Sequence, residues 1–268
     1  MHDTVSAGPE PGPSPRTSPA GDVDYEAGGA GYAHRRRPDP RIATLIRAGL
    51  GDARTVVNVG AGAGSYEPDD LDVVAVEPSA RMRAQRPAGS APVVDATAER
   101  LPFPDDAFEA AMATVTIHQW RDPAAGLREL RRVSSGPVVL LTFDPDAVPG
   151  WWLNTYVPEV FAAEAARYPA IDAIRAVLGG STTVTPVPIP LDCTDGFTEA
   201  FYGRPEAFLD PAVRAAQSAW HFADPGAVAA GLDRLAADLA SGAWDARHGR
   251  LRTLPEFGGA VRLVVAQP

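Results

Sequence analysis

The chain has 268 residues, 45% of them hydrophobic, enough to bury one core and carry decorations on it. A formal net charge of -10 disfavours a nucleic-acid groove or an anionic membrane surface, since both want clustered Lys and Arg and the one basic run is Arg35-Arg36-Arg37. A single cysteine, Cys193, excludes an internal disulfide framework and a thiolate-rich metal site, and no apolar run nears the ~20 residues of a membrane span.

The N-terminus also lacks the apolar core of a signal peptide, so a soluble cytoplasmic protein is expected. Residues 1–22 are dominated by Pro, Gly, Ser and Ala, the composition of a disordered tail. Order is expected to begin in the segment 23–54, where Ile42, Leu45, Ile46 and Leu50 recur at helical spacing and Gly51 stops the helix. Over 55–145 short β-branched runs alternate with helical stretches. The strands are Val56–Val59, Val73–Val76, Val93–Val94, Ala111–Val115 and Val138–Phe143. Such alternation implies an α/β fold with a mostly parallel sheet covered on both faces, ligands sitting outside the carboxyl ends of its strands. A helical, aromatic-rich insertion is expected over 146–181 and a proline-punctuated strand near an edge over 182–190. A second helical insertion, 191–258, and a closing strand, 259–268, complete a seven-stranded mixed sheet under a helical cap.

One stretch carries the chemistry. In "VVNVGAGAGSYEPDDLDVVAVEPS", Gly60, Gly62 and Gly64 follow a strand, and Glu77 ends the next. Glycines let backbone pass close to a ligand. An acid at the tip of the second strand can accept from both hydroxyls of a ribose, the nucleoside logic of Rossmann-like folds. A glycine triplet alone also fits a plain tight turn. A dinucleotide would need a helix N-terminus after the glycines to face its pyrophosphate. Here Pro68 and the acids Asp69, Asp70 and Asp72 leave room for one turn at most. Carboxylates suit a cationic sulfonium better than a pyrophosphate.

Four segments, "VVNVGAGAGSYEP", "VVAVEPS", "ATAERLPFPDDAFEAAMATVTIHQW" and "LRELRRVSSGPVVLLTFDP", resemble the ordered motifs of class I S-adenosylmethionine-dependent methyltransferases, type 11 group. The likeness is strongest over about 25–145 and extends to tail segments of an actinobacterial-style small-molecule subgroup. It implies S-adenosyl-L-methionine as cofactor and S-adenosyl-L-homocysteine as product. Position by position it implies backbone at Gly60, Ala61 and Gly62 beside the methionine part and Glu77 on the ribose. Pro78, Ser79 and Met82 would pack near the adenine, with Thr97, Ala98 and Glu99 along its edge and Thr114 at the end of the fourth strand. Many relatives have Asp where Thr97 stands, which weakens a side-chain bond to the adenine there. Tyr32 and Arg37 match a Tyr-x-x-x-x-Arg pattern that closes over the cofactor, the arginine facing its carboxylate; a solvated member of the basic run is the plain alternative for Arg37.

Methyl transfer asks the protein mainly for alignment and desolvation. His118 in "TIHQW", on the lip where the methyl group arrives, is the candidate base, with Tyr32 beside it as a second catalytic candidate; a histidine bonded to a loop carbonyl is the other reading. Trp120 either stacks on the acceptor or anchors the loop. Trp151, Trp152, Tyr156, Phe197, Phe201, Tyr202 and Trp220, with His221, form an aromatic set that is either cap core or the wall of an acceptor cavity. The expected partner is a small molecule, an aromatic or heteroaromatic (for example indole-type) natural product methylated at carbon or nitrogen. No metal, nucleic acid or membrane partner is expected, and the chain is expected as a monomer or homodimer. A protein that binds the cofactor without transferring methyl is the rival of a different class.

Overall fold

The computed structural model describes residues 36–268. The tail at 1–22, Tyr32 and His34 lie outside the described residues. Seven strands form one sheet: β1 (Thr55–Val59), β2 (Asp72–Val76), β3 (Val93–Val94), β4 (Ala110–Thr114), β5 (Val138–Phe143), β6 (Ser181–Pro190) and β7 (Glu256–Gln267). Their order is β3-β2-β1-β4-β5-β7-β6. The first five pair in parallel, and β7 runs antiparallel to both β5 and β6. The strand order reverses between β1 and β4, so the crevice at their carboxyl ends is where a ligand belongs.

Local chemistry accounts for the elements. The central strands β4 and β5 are buried along almost their whole length, as uninterrupted apolar runs require when helices cover both faces. Helix α1 (Pro40–Gly49) starts with Asp39 accepting from Arg41 N and Pro40 in the first turn, and it buries Ile42 and Ile46. Helix α2 (Ala80–Ala84) is capped by Ser79, and α3 (Pro123–Val133) by Asp122, whose side chain accepts from Ala125 N. Strand β6 lies at the sheet edge as its prolines demand, and its register with β7 slips between Pro186 and Pro188, where the ladder lacks a donor.

The fourth strand ends one residue earlier than expected. Val115 turns out of it at φ +50, a left-handed conformation that a β-branched residue adopts only under constraint, here the bond from its N–H to Leu141 O at 2.7 Å. The second insertion also differs from a run of long helices. Short 3₁₀ turns occupy most of 198–222, and Pro205, Pro211 and Pro225 each open a helical turn at its first position rather than simply breaking one.

The two insertions form one braced layer. Helices α4 (Pro158–Arg167) and α5 (Ile171–Leu178) come from the first, and α6 (Pro211–Ala215), α7 (Pro225–Ser241) and α8 (Ala243–His248) from the second. Trp152 joins them, its ring 5.2 Å from Trp244 and 6.0 Å from Phe208, and its indole N–H donates to Tyr202 O at 2.9 Å. Gly231 of α7 lets Tyr156 O approach to where a Cβ would sit at 2.2 Å. Glu199 fastens this layer to the sheet: both its oxygens accept from Ala260 N at 2.9 Å, in space left by Gly259. Burial pushes the Glu199 carboxyl up to about 7, against the pull of the Ala260 N–H and of Arg262.

A carboxyl raised in this way contributes stability below its unfolded pKa near 4.5 and loses it as pH rises through about 7. Glu199→Gln stays neutral throughout. Denaturant melts are therefore expected to show its advantage over the unmodified protein growing by roughly 2 kcal/mol between pH 5.5 and pH 8.

Candidate active site

The glycine turn and Glu77 are one unit. The N–H groups of Gly60 and Ala61 both donate to Val76 O, at 2.9 and 3.0 Å, which closes the ends of β1 and β2 onto each other. Gly60 needs its left-handed φ of +70, and a Cβ there would sit 2.1 Å from Thr116 Oγ1. Glu77, 6% exposed, takes Gly62 N–H on Oε2 and Ser79 N–H on Oε1, each at 2.8 Å. Burial raises its pKa, while those two N–H groups, Arg83 and Arg86 pull the other way. Each oxygen keeps lone-pair capacity for a further donor.

No α-helix separates β1 from β2. Two side chains of this loop do the structural duty of the helix. Glu67 pairs with Arg86 at 2.7 Å, both side chains almost fully buried, and accepts from Asn58 Nδ2 at 3.1 Å. Tyr66, at φ +63, sends its hydroxyl to Asp195 Oδ2 at 3.0 Å. The glycines thus lead into no helix N-terminus.

A cleft of about 890 Å³, its open mouth included, lies over this unit. Gly60, Ala61, Gly62, Glu77, Pro78, Met82, Thr97, Ala98, Glu99 and Thr114 line it, together with Val115, Gln119 and Trp120. Ser79 does not; it is 1% exposed and serves as the cap of α2, accepting from Met82 N at 3.1 Å. Glu99 reaches back to accept from Arg121 N and Asp122 N at 2.8 and 3.2 Å. Trp120 lies against Gly126 of α3, where a Cβ would meet Cε3 at 2.4 Å, so it anchors its loop while facing the cleft.

Of the basic run, it is Arg36 that lines the cleft. Arg37 is exposed and belongs to a separate surface hollow with Asp192 and Arg204. Arg36 pairs with buried Asp195 through Nε at 2.6 Å and forms an antiparallel bridge with it, which turns Arg36 and Arg37 to opposite sides. Asp39 completes this strap. It accepts from Arg41 and from Thr194 N, and its carboxyl is held down at about 2, first by Arg41.

His118 faces a second hollow, which shares Arg36 and Val115 with the cleft. Its ring packs on Tyr168 at 4.5 Å, and Phe143 stands 5.4 Å from Tyr168. Burial, then the charges of Arg167 and Arg36, push the imidazole pKa well below its ordinary 6.5.

Most of the aromatic set lies elsewhere. Trp151, Trp152, Tyr156, Tyr202 and Trp220 are buried within the cap and line neither the cleft nor the His118 hollow. Phe201 borders the outer hollow beneath Arg204, 4.9 Å above its ring, and His221 is exposed. The rings that do face His118, Phe143, Tyr168 and Phe197, come from a strand end and from segments of both insertions. Phe197 belongs to the aromatic set that the sequence offers, whereas Arg36, Phe143 and Tyr168 escaped the sequence reading because neither run composition nor helical spacing reports which neighbour faces inward.

The family model for a methyltransferase domain matches residues 57–139. Over nearly its full length the chain is similar to a crystal structure from Anabaena variabilis described as a methyltransferase from an antibiotic biosynthesis pathway. Identity is 30% and the TM-score 0.80, with 87% of this chain and 99% of that one covered. This chain belongs to the class I S-adenosylmethionine-dependent methyltransferases, type 11. Among curated proteins, the chain is 28% identical over 116 residues to the chloroplast 2-methyl-6-phytyl-1,4-hydroquinone methyltransferase of Spinacia oleracea, covering 40% of this chain and 33% of the relative. It is 31% identical over 108 residues to the malonyl-[acyl-carrier protein] O-methyltransferase of Halorhodospira halophila, covering 35% and 37%. The chain thus spans about a third of the length of these curated relatives. The family cofactor is S-adenosylmethionine.

Replacing Glu77 by Ala removes the buried anion from the cleft. Calorimetric titration with S-adenosylhomocysteine is expected to show binding weaker by roughly 1–3 kcal/mol.

Proposed function

We propose that this methyltransferase moves the methyl group of S-adenosylmethionine onto a small, ring-bearing acceptor held in the hollow beside His118. One observation carries the reading: the cleft and the hollow meet at a common wall, Arg36 and Val115, so that two ligands can lie end to end across it. Val115 is also where the backbone is strained, and strain of this kind collects at functional sites.

The cleft suits the cofactor by its donor set. A buried carboxylate with lone pairs to spare matches the ribose diol, and the bare backbone of Gly60–Gly62 matches a close-lying methionine part. Pro78, Met82 and Ala98 would pack on the adenine, and Arg36 rather than Arg37 would face the carboxylate, a pairing that an Arg fork favours. Tyr32, outside the described residues, stays a proposed closing residue. When bound, the cofactor supplies a methyl group already attached to a good leaving group.

What the chain adds is orientation and exclusion of water. Phe143, Tyr168 and Phe197 favour a flat acceptor, and the electron-rich ring of a heteroaromatic natural product, methylated at carbon or nitrogen, fits them. His118 is uncharged at neutral pH, so one imidazole nitrogen can accept the proton that the ring atom loses once methylated, or hold the acceptor by a hydrogen bond. No helix of the described residues is long and apolar enough to cross a membrane, and a small-molecule substrate handled by a cytoplasmic monomer or homodimer is the setting proposed.

Incubation with methyl-labelled cofactor and metabolite extracts tests the function. Label is expected in the small-molecule fraction; if no S-adenosylhomocysteine forms with any acceptor, the chain binds the cofactor without transferring methyl. His118→Asn is expected to lower kcat at least roughly tenfold while cofactor affinity holds. Because the imidazole titrates well below 6.5, kcat of the unmodified enzyme should show no histidine limb between pH 6.5 and 8.

A further inference from the structure

The hollow beside His118 contains a buried polar side chain that the transfer chemistry leaves unused. Gln217 follows α6, is 4% exposed, and lines the hollow. Its carboxamide is gripped at the oxygen end. Oε1 accepts from Trp220 Nε1 at 2.9 Å and from Thr198 Oγ1 at 2.7 Å. An indole N–H can only donate, so the atom facing it must be the amide oxygen, and this sets which way the amide is flipped. Nε2 then points toward Gly196 O, 3.5 Å away and at the limit of a hydrogen bond. Two N–H bonds and one long acceptor leave donor capacity at the wall of the hollow.

The surroundings indicate what could use that capacity. The hollow is about 410 Å³ with its open mouth included, less than half the cofactor cleft taken the same way. The Phe143 ring stands edge-on to Phe197 at 6.0 Å and tilts against Tyr168 at 5.4 Å. Three other polar groups at the wall are already engaged: Arg36 pairs with Asp195, Glu164 with Arg167, and Ser218 Oγ accepts from Arg167.

We infer that Gln217 sets acceptor specificity, donating through Nε2 to a ring nitrogen or carbonyl oxygen of a mono- or bicyclic heteroaromatic. The inference rests on the reading that this hollow holds the methyl acceptor. A site built to donate to such an atom should reject the carbocyclic isostere, because a buried N–H is then left unanswered.

The test is binding, not turnover. Quinoline and naphthalene have the same shape and differ by one ring nitrogen. Their affinities are measured by ligand-observed NMR on the full chain loaded with S-adenosylhomocysteine, for the unmodified protein, Gln217→Met and Gln217→Glu. The unmodified protein is expected to prefer quinoline at least tenfold, and both variants to lose the preference while still binding S-adenosylhomocysteine. Gln217→Glu keeps an acceptor for Trp220 and Thr198 and replaces the N–H donor by a carboxylate oxygen, so the donor is still tested if Gln217→Met fails to fold. Equal affinities in the unmodified protein, a preference that survives in Gln217→Glu, or binding of neither probe would overturn the inference. A tenfold quinoline preference in a chain that methylates nothing would sink the transferase reading and leave the donor site standing.

Discussion

The site depends on a carboxylate that the fold buries between two strand ends. Glu77 loses hydration by entering the crevice, and its raised pKa records that loss. The position is tenable because Gly62 and Ser79 each aim a backbone N–H at it. Those two donors belong to the turn after β1 and to the cap of α2. One side chain therefore sets the spacing of the two elements that floor the cleft, before any ligand arrives. The glycines serve this arrangement twice, by adopting left-handed φ and by letting Thr116 close in.

A second constraint arises from what the chain lacks between β1 and β2. With turns in place of a helix, the loop has to stabilise itself with side chains, and it does so with the buried Glu67–Arg86 pair and with Tyr66. Tyr66 then reaches Asp195, which also holds Arg36. The shortened loop, the strap at 36–41 and the segment after β6 become one hydrogen-bonded assembly along the cleft rim. Breaking a buried pair such as Arg36–Asp195 leaves an uncompensated charge, so the rim resists piecemeal opening.

The aromatic residues divide by where the chain enters the cap. Trp151, Trp152 and Tyr156 follow β5 into the space between the two insertions, where Trp244 and Phe208 meet them edge to face. That packing gives the cap a core of its own. The rings of the proposed acceptor hollow are those carried at the seam between cap and sheet, Phe143, Tyr168 and Phe197, beside the strained turn at Val115. In the proposed reading, the packed cap beside the strained Val115 gives an acceptor a wall to lie against.

Local order was legible in the sequence because it depends on near neighbours. Alternating β-branched runs and helical stretches, glycines at a strand end, an acid at the next strand tip and prolines on an edge strand all act within a few residues of themselves. They sufficed for the α/β sheet, the crevice and most of the cleft lining. The remaining features depend on contacts between segments far apart in the chain. Three adjacent arginines look alike until Asp195 pairs with the middle one. Trp152 and Phe143 are both aromatic residues near the end of β5, yet one meets Trp244 and the other meets Tyr168. Gln217 gains a fixed amide only from Trp220 and Thr198, and Glu199 a raised pKa only from burial against β7. Orientation, desolvation and pairing are properties of the packed interior, and tertiary structure alone decided them.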